Sequence, residues 1–205
     1  QGAPLLFQPF DPFANESLTF LYMTLFYQPN FSYIISSLGF SNKFIRTLIE
    51  VLQVTYEQIG ICYFHSIIIS SILMVVADET ACSFLDQPFN ESLKCKFQPN
   101  SGTYADVLLE SLFNVTESSS SNLLHALAAI FQMIAPHIRL LSALSAEKLR
   151  NLFTNAIQTE NKKLVQFLLE AFAEIVQIKN DSKNKVLVMI IENASLFENL
   201  KQNEK

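Results

Sequence analysis

The chain has 205 residues, of which 50% are hydrophobic and 16% are charged, a composition that buries a continuous core and excludes a disordered segment. It contains only four glycines, which argues against β-sandwiches, glycine-loop nucleotide-binding folds and Rossmann units, because those folds need left-handed turns or close backbone contact with a phosphate. The formal net charge is −5 and the 14 lysines and arginines are thinly spread, so the sequence lacks the basic stripe that nucleic-acid binding requires.

The start of the sequence and its cysteines bear on where the protein works. The chain opens with Gln1 rather than an initiator Met, which predicts a fragment or a processed product. Three cysteines, an odd number, favour a reducing compartment over a disulfide framework. Asn-x-Ser/Thr triplets favour the opposite interpretation, a luminal glycosylated protein, and both interpretations stay open. These triplets begin at Asn15, Asn30, Asn90, Asn114, Asn180 and Asn193.

The first part of the chain is predicted to be helical after a proline-rich, extended lead. The spacing of apolar residues predicts helices at 15–27, 31–38 and 42–56. Asn15 is the predicted N-cap of the first helix, Gly39 ends the second, and Ser41 or Asn42 caps the third.

The most apolar stretch of the sequence covers 59–77 and has no formal charge and one histidine, His65. Its length is within the range of a membrane span, so a transmembrane helix is one interpretation. A helix that neighbouring helices cover on both faces has the same composition and is the other interpretation. The stretch also contains three serines and lacks strong basic flanks, and these features favour the buried helix.

The segment 81–101 interrupts the helical pattern with two prolines, two cysteines and alternating apolar residues. We expect an ordered connector that contains a short extended piece. Thr103 is predicted to begin the next helix, because Asp106 follows three residues later in the arrangement of a capping box.

Four further helices are predicted towards the C-terminus. They are placed at 122–141, 145–157, 161–178 and 186–192. Pro136 should kink or split the first of them, since proline removes a backbone N–H group, and Ser145 is the predicted N-cap of the second. Residues 118–121 are predicted to be a polar loop and residues 179–184 a solvated turn.

Paired helices at this spacing, without exact sequence repetition, predict an all-α fold of armadillo- or HEAT-like stacked helix pairs, an α-solenoid. We expect one continuous array rather than separate domains. It comprises an extended lead at 1–13, helical repeats at 14–80, a connector at 81–101, further repeats at 102–201 and a frayed tail at 202–205.

No catalytic residue, cofactor site or metal site is predicted, and the chain is not expected to be an enzyme. Phosphate-loop and dinucleotide fingerprints are absent, and no histidine lies near a nucleophile motif. His125 is predicted to be partly buried with a hydrogen-bond partner, and His137 to be a polar residue at a kink. Glu50, Glu57 and the other glutamates are predicted to lie scattered on helix surfaces, which leaves no pair for acid–base chemistry.

One combination of residues raises the question of a metal. Cys62 and His65 are three residues apart on one predicted helix, so both could face one ion, and Cys82 and Cys95 would then complete the site. The spacings match no common zinc pattern. Small buried cysteines without a ligand role are therefore favoured.

Four segments of the sequence carry a family pattern. Residues 85–89, Leu-Asp-Gln-Pro-Phe, are similar to the family's Leu-Asn-Lys-Pro-Tyr, which follows a long apolar helix that contains a histidine. Residues 102–109 are similar to its Gly-Thr-x-Ala-Asp-Leu-Leu. Residues 136–142, with Lys148-Leu149 beyond them, are similar to Pro-Tyr-Leu-Lys-x-Leu-Ser with a later Lys-Leu. Residues 164–172 are similar to Leu-Val-x-Phe-Leu-Leu-Glu-x-Phe. In these patterns the chain resembles the dauer-formation protein family, the relatives of dymeclin.

The resemblance extends from about Phe20 to Leu200, with Gln87 in place of a basic residue and Ser182 in place of a glycine. It implies a large armadillo-like protein without catalytic residues, on the cytosolic face of the Golgi and trans-Golgi network and also in the cytosol. The implied role is secretory cargo sorting and vesicle formation. It also implies peripheral membrane attachment through lipidation of an N-terminus outside this chain. We expect protein partners that bind the helical surface or the connector, and no nucleic acid.

Overall fold

The computed structural model of the chain describes residues 14–28, 30–60, 62–99, 102–116, 121–177 and 182–194, and within them the fold is all-helical, as predicted. The α-helices are α1 (Ala14–Tyr27), α2 (Phe31–Ser37), α3 (Ser41–Ile59), α4 (Tyr63–Val76), α5 (Tyr104–Thr116), α6 (Ser121–Ile134), α7 (Ala143–Gln158), α8 (Lys162–Gln177) and α9 (Ser182–Glu192). Two short 3-10 helices lie at Glu79–Cys82 and Ala135–His137. The predicted lead and tail lie outside the described residues.

The helices pack in two rows. Helix α4 contacts α1 and α6, and α6 in turn contacts α8, which makes the first row. Helix α5 contacts α3 and α7, and α7 contacts α9, which makes the second. Each helix of the second row from α3 to α7 also contacts the helix that follows it in the chain, so the rows face each other across one core.

Aromatic side chains join the two rows at the C-terminal end of the core. Phe131 of α6, Phe153 of α7 and Phe172 of α8 are fully buried. The ring of Phe172 meets the other two edge to face, with centroids 5.9 Å from Phe131 and 5.1 Å from Phe153. Burial of each such side chain contributes roughly 1.5–3 kcal/mol, so this cluster fixes three helices at one point.

The apolar stretch 59–77 is not one helix, and the prediction of its length was wrong. Helix α3 runs to Ile59, and Gly60 then adopts φ 65°, a left-handed conformation in which glycine ends helices without strain. Helix α4 begins only at Tyr63 and has 14 residues. It packs between α1, α3 and α6, as expected of a buried helix. None of the helices in the described ranges combines the length and the apolar character that a membrane crossing requires.

Several predicted helix starts differ from the structure. Helix α1 begins at Ala14 and α3 at Ser41, so the predicted N-caps Asn15 and Ser41 or Asn42 lie inside their helices. Ser142, not Ser145, caps α7: its Oγ accepts the backbone N–H of Ser145 at 3.0 Å, and its ψ of 160° is that of a residue before a helix. Helix α9 begins at Ser182, inside the predicted turn 179–184. The break at Pro136 is confirmed, since α6 ends at Ile134 and a 3-10 turn follows. Of the predicted loop 118–121, residues 118–120 lie outside the described residues.

The predicted capping box of α5 is present and extends beyond its own helix. The Thr103 hydroxyl accepts the Asp106 N–H, and Asp106 Oδ2 accepts the Thr103 N–H, both at 3.3 Å. Asp106 Oδ1 also accepts the N–H of Ser142 at 2.8 Å. A Cβ on Gly102 would lie 2.9 Å from Asp106 Oδ2, so the carboxylate needs glycine there. Asp106 therefore caps α5 and fixes the start of α7.

We expect Asp106→Ala to lower the free energy of unfolding by about 2–4 kcal/mol, because the buried N–H group of Thr103 and the partly buried N–H group of Ser142 lose their acceptor. The matched control is Asp86→Ala, whose ion-pair partner Arg139 is 77% exposed at its side chain. An exposed pair of this kind contributes about 0–1 kcal/mol. Urea denaturation of the two variants measures the difference, and equal losses would contradict the role of Asp106.

Candidate partner-binding site

The segment 83–99 joins the first 3-10 helix to α5 without forming a helix, yet its backbone is fixed. The Phe89 N–H donates to the Gly102 carbonyl at 2.8 Å, and the Tyr104 N–H donates to the Gln87 carbonyl at 3.1 Å. These bonds make an antiparallel bridge between Pro88 and Thr103. The short extended piece predicted in the connector is this bridge.

Apolar side chains hold the first half of the connector against the core. Leu85 is fully buried, and Phe84, Phe89 and Leu93 are nearly so. The ring of Tyr104 lies edge to face with Phe84 at 5.1 Å and with Phe89 at 5.0 Å. The alternating apolar residues of the sequence are therefore anchors of an ordered loop.

Two glutamates of α3 hold the second half. Glu50 and Glu57 are seven residues apart, two helical turns, so they lie on one face of α3. Glu50 Oε1 accepts the backbone N–H of Lys94 at 3.1 Å, and Glu57 Oε1 accepts that of Phe97 at 2.9 Å. The carboxylates supply acceptors to backbone donors that no helix or strand satisfies. The prediction that Glu50 lies on the helix surface was wrong, since it is 5% exposed.

Arg46, one turn before Glu50, links the helix and the connector a second time. Its guanidinium donates to Glu50 Oε1 at 3.1 Å and to the Ser92 carbonyl at 2.9 Å, and it pairs with Glu91 at 2.5 Å. Glu91 also accepts the Tyr104 hydroxyl at 2.8 Å. Burial and this hydrogen bond raise the pKa of Tyr104 to about 12, so the phenol stays protonated as a donor. The network joins α3, the connector and α5.

The fixed connector presents polar side chains to solvent. Its exposed residues include Gln87, Asn90, Ser92, Lys94, Lys96 and Gln98. A loop whose backbone is held by a rigid scaffold is a common place for partner binding. Sequence reasoning expected partners to bind the helical surface or the connector, but it missed Arg46, Glu50 and Glu57 as the residues that hold the connector. The i, i+4, i+11 spacing of these charges on one helix was the available signal.

The structure brings together only part of the residues that raised the question of a metal. Cys62 Sγ and His65 Nδ1 are 3.4 Å apart. Cys82 instead donates to the Val76 carbonyl and Cys95 to the Phe97 carbonyl, each at 3.3 Å. Among the described residues, no group of three or more His, Cys, Asp and Glu side chains is placed to hold a metal ion.

Two of the three thiols are poor nucleophiles and ligands at neutral pH. Burial, with Asp78 and Glu79 nearby, raises the pKa of Cys82 to about 12. Burial, with Glu57 and Glu50 nearby, raises the pKa of Cys95 to about 11. Thiol chemistry requires the thiolate, so neither side chain is activated.

The other histidines occupy the predicted environments. His125 Nε2 lies 3.2 Å from Asn161 Oδ1 and is partly buried, as expected. His137 ends the 3-10 turn that contains Pro136 and is half-buried.

The glycosylation-type triplets differ in accessibility. Asn193 is buried and its side chain bonds to Thr154 and to the Met189 carbonyl. The Asn114 amide donates to Gln53 Oε1 at 2.7 Å in a partly buried contact between α3 and α5. Oligosaccharide on either amide would break these bonds, whereas Asn30 and Asn90 are exposed. The side chains of Asn15 and Asn180 lie outside the described residues.

Comparison with known proteins relates the chain to one family. A family model described as High-temperature-induced dauer-formation protein matches residues 12–204. Protein HID1 of Homo sapiens is 28% identical over 126 residues, and Protein HID1 of Mus musculus is 27% identical over 126 residues. Each alignment covers 57% of this chain and 16% of the relative, so the chain matches a small part of these longer proteins. No solved structure matches the chain.

We expect Glu50→Ala to release the second half of the connector, because the Lys94 N–H and Arg46 lose their shared acceptor. The cost is about 2–4 kcal/mol. Amide hydrogen exchange at Lys94 and proteolysis between 90 and 99 should both accelerate. Glu174→Ala, an exposed change on α8, is the control and should leave both rates unaltered. Unchanged exchange at Lys94 in Glu50→Ala would contradict the anchoring role.

His65 gives the stability of the fold a pH dependence. Burial lowers its pKa from 6.5, and Nδ1 accepts the Cys62 N–H at 3.1 Å, which requires an unprotonated nitrogen. Below about pH 6.5 the unfolded chain therefore binds a proton at His65 that the folded chain does not. The free energy of unfolding consequently decreases as the pH is lowered.

We expect the free energy of unfolding of His65→Gln to depend less on pH between about pH 7 and pH 5 than that of the wild type. His137→Gln serves as the control and should keep the wild-type slope. Denaturant titrations at a series of pH values measure it, and parallel curves for His65→Gln and the wild type would rule out this contribution.

Proposed function

Because the chain belongs to the high-temperature-induced dauer-formation protein family, we propose that it is a non-catalytic helical scaffold. It acts in membrane trafficking at the Golgi and trans-Golgi network and in the sorting of secretory cargo. The observation that carries the proposal is the family match over residues 12–204, nearly the whole chain. The site of action is the cytosolic face of these membranes, with a further pool in the cytosol.

The scaffold is an α-solenoid of armadillo- or HEAT-like helix pairs. The pairs are α3 with α4, α5 with α6, and α7 with α8. Contacts between successive members of each row support this arrangement, because a solenoid repeat packs mainly on its neighbours. Stacked pairs of this kind offer long, rigid surfaces to partners.

The use of the buried acidic groups supports a role without catalysis. Glu50 and Asp106 each accept backbone N–H groups. Carboxylate oxygens that already accept backbone N–H groups serve the fold and are not presented to a substrate. Cys82 and Cys95, with raised pKa values, offer no nucleophile at neutral pH.

The connector is the partner-binding surface of this scaffold. Lys94 and Lys96 are exposed on it, and the Lys94 backbone is bonded to Glu50. A partner that carries acidic groups would meet a preformed surface and would lose little conformational entropy on binding. Attachment to the Golgi membrane is peripheral and uses parts of the protein outside this chain.

The proposal is tested in cells that express the tagged protein encoded by the intact gene. We expect it to overlap a trans-Golgi marker and to leave the membranes on alkaline carbonate extraction, while an integral Golgi protein stays in the pellet. Retention of the tagged protein in the pellet would overturn peripheral attachment.

A charge reversal then tests the connector. Cells that lack the protein should missort secretory cargo, and the wild type should restore sorting. Lys94→Glu with Lys96→Glu should fail to restore it, because the reversed charges repel an acidic partner. Lys162→Glu with Lys163→Glu, at exposed positions on α8, is the matched control and should restore sorting. Equal rescue by both double variants would exclude the connector as the partner surface.

A further inference from the structure

Ser92 of the connector differs from the other exposed serines and threonines of the described residues. It lies outside the helices, and its hydroxyl makes no hydrogen bond within the described part of the chain. The others either donate their hydroxyl to a nearby oxygen or lie within a helix. The first group comprises Ser37, Thr80, Ser83 and Thr159, and the second comprises Thr19 and Ser66. A group attached to the Ser92 hydroxyl would therefore break no hydrogen bond of the fold.

The backbone around Ser92 is accessible as well. Residues 90–92 are exposed and have no regular secondary structure, while Leu93 beside them is buried in the core. An enzyme that modifies a serine has to reach the hydroxyl and the backbone next to it, which a helix or a buried segment does not offer. Ser92 is therefore presented on an exposed loop of a rigid scaffold.

A cation is already fixed beside Ser92. The Arg46 guanidinium donates to the Ser92 carbonyl at 2.9 Å, so it lies close to the side chain of the same residue. Glu50 holds this guanidinium on α3, and its other ion-pair partner, Glu91, is 37% exposed at its side chain. Arginine binds phosphate through paired N–H groups. Because a phosphoserine carries a charge of about −1.5 to −2, a phosphate on Ser92 would compete with Glu91 for Arg46.

We propose that Ser92 is a phosphorylation site that regulates the partner surface of the connector, an inference that rests on the function proposed above. A protein kinase supplies the catalytic base, and ATP supplies the phosphoryl group. The Ser92 oxygen forms a bond to the γ-phosphorus, the bond from that phosphorus to the bridging oxygen breaks, and ADP leaves. The hydroxyl proton passes to the base of the kinase.

The charge of the phosphate determines its effect on the connector. Lys94 and Lys96 follow Ser92 closely in the chain and are exposed. A phosphate of about −2 offsets the positive charges of these two lysines. An acidic partner then meets no net positive charge, and the phosphate itself repels it. Phosphorylation of Ser92 therefore releases the partner, and removal of the phosphate restores binding.

Phosphopeptide mapping tests whether the site is used. The tagged full-length protein is isolated from cells in the presence of phosphatase inhibitors, digested and analysed by mass spectrometry. We expect a phosphate on Ser92 that phosphatase treatment removes. An unmodified Ser92, or a glycan on Asn90 in the same peptide, would overturn the proposal.

A titration followed by phosphorus NMR tests the contact with Arg46. The full-length protein is made with phosphoserine in place of Ser92, and the reference is the same protein unfolded in urea. Pairing with the guanidinium favours the dianion, so the second pKa of the phosphate should be lower in the folded protein by at least about half a pH unit. Equal pKa values in the two states would contradict the role of Arg46.

A sorting assay in cells that lack the protein tests the regulation. Ser92→Glu should fail to restore sorting, whereas Ser92→Ala should restore it. Ser83→Glu, the same change at an exposed serine where the connector begins, is the control and should also restore it. If Ser92→Glu restores sorting while Lys94→Glu with Lys96→Glu does not, the regulation is wrong and the partner surface stands. If both restore sorting, the partner surface itself is wrong.

Discussion

The main constraint on this fold is that backbone N–H groups outside the helices must find hydrogen-bond acceptors. A helix satisfies its own backbone, but the connector between α4 and α5 has no ladder of its own and lies against the core. Buried donors without acceptors would cost several kcal/mol in such a place. Glu50, Glu57 and Asp106 supply the acceptors, to Lys94, Phe97 and Ser142 respectively. The packing of α3, the connector, α5 and α7 depends on these three carboxylates.

Such carboxylates are themselves costly to bury, and the structure shows how the cost is offset. Glu50 has two compensating contacts, the guanidinium of Arg46 and the N–H of Lys94. Arg46 also binds Glu91 and the Ser92 carbonyl, so one cation serves both the helix and the loop. Removal of a single member leaves a buried charge unpaired, which destabilises more than the contact itself contributes. The network is therefore cooperative and ties the connector to the helices.

Local signals in the sequence predicted the parts of the fold that local chemistry decides. Thr103 and Asp106 formed the expected capping box, and Pro136 ended α6, because both effects act within one helical turn. Ser145 failed as a cap because Ser142, three residues earlier, offers the same hydroxyl where the chain is still extended. The break at Gly60 was missed because apolar residues continue on both sides and hide a change of direction.

The candidate site was predicted only in outline for a different reason. Prolines and alternating apolar residues marked the connector, but a glutamate at a polar position of an amphipathic helix normally faces water. What buries Glu50 is the return of a segment more than forty residues away, at Lys94. No pattern within α3 contains that information. The spacing of Arg46, Glu50 and Glu57 only becomes meaningful once the connector is known to cross this face.

The way the connector is held leaves its side chains open to variation. The carboxylates of α3 bind backbone N–H groups, which every residue except proline provides. Gln87 is exposed, and its backbone carbonyl, not its side chain, accepts the Tyr104 N–H. A basic residue in place of glutamine there would leave that backbone bond intact and alter only the charge of the exposed side chain. The scaffold therefore fixes the backbone of the connector without fixing the identity of its side chains.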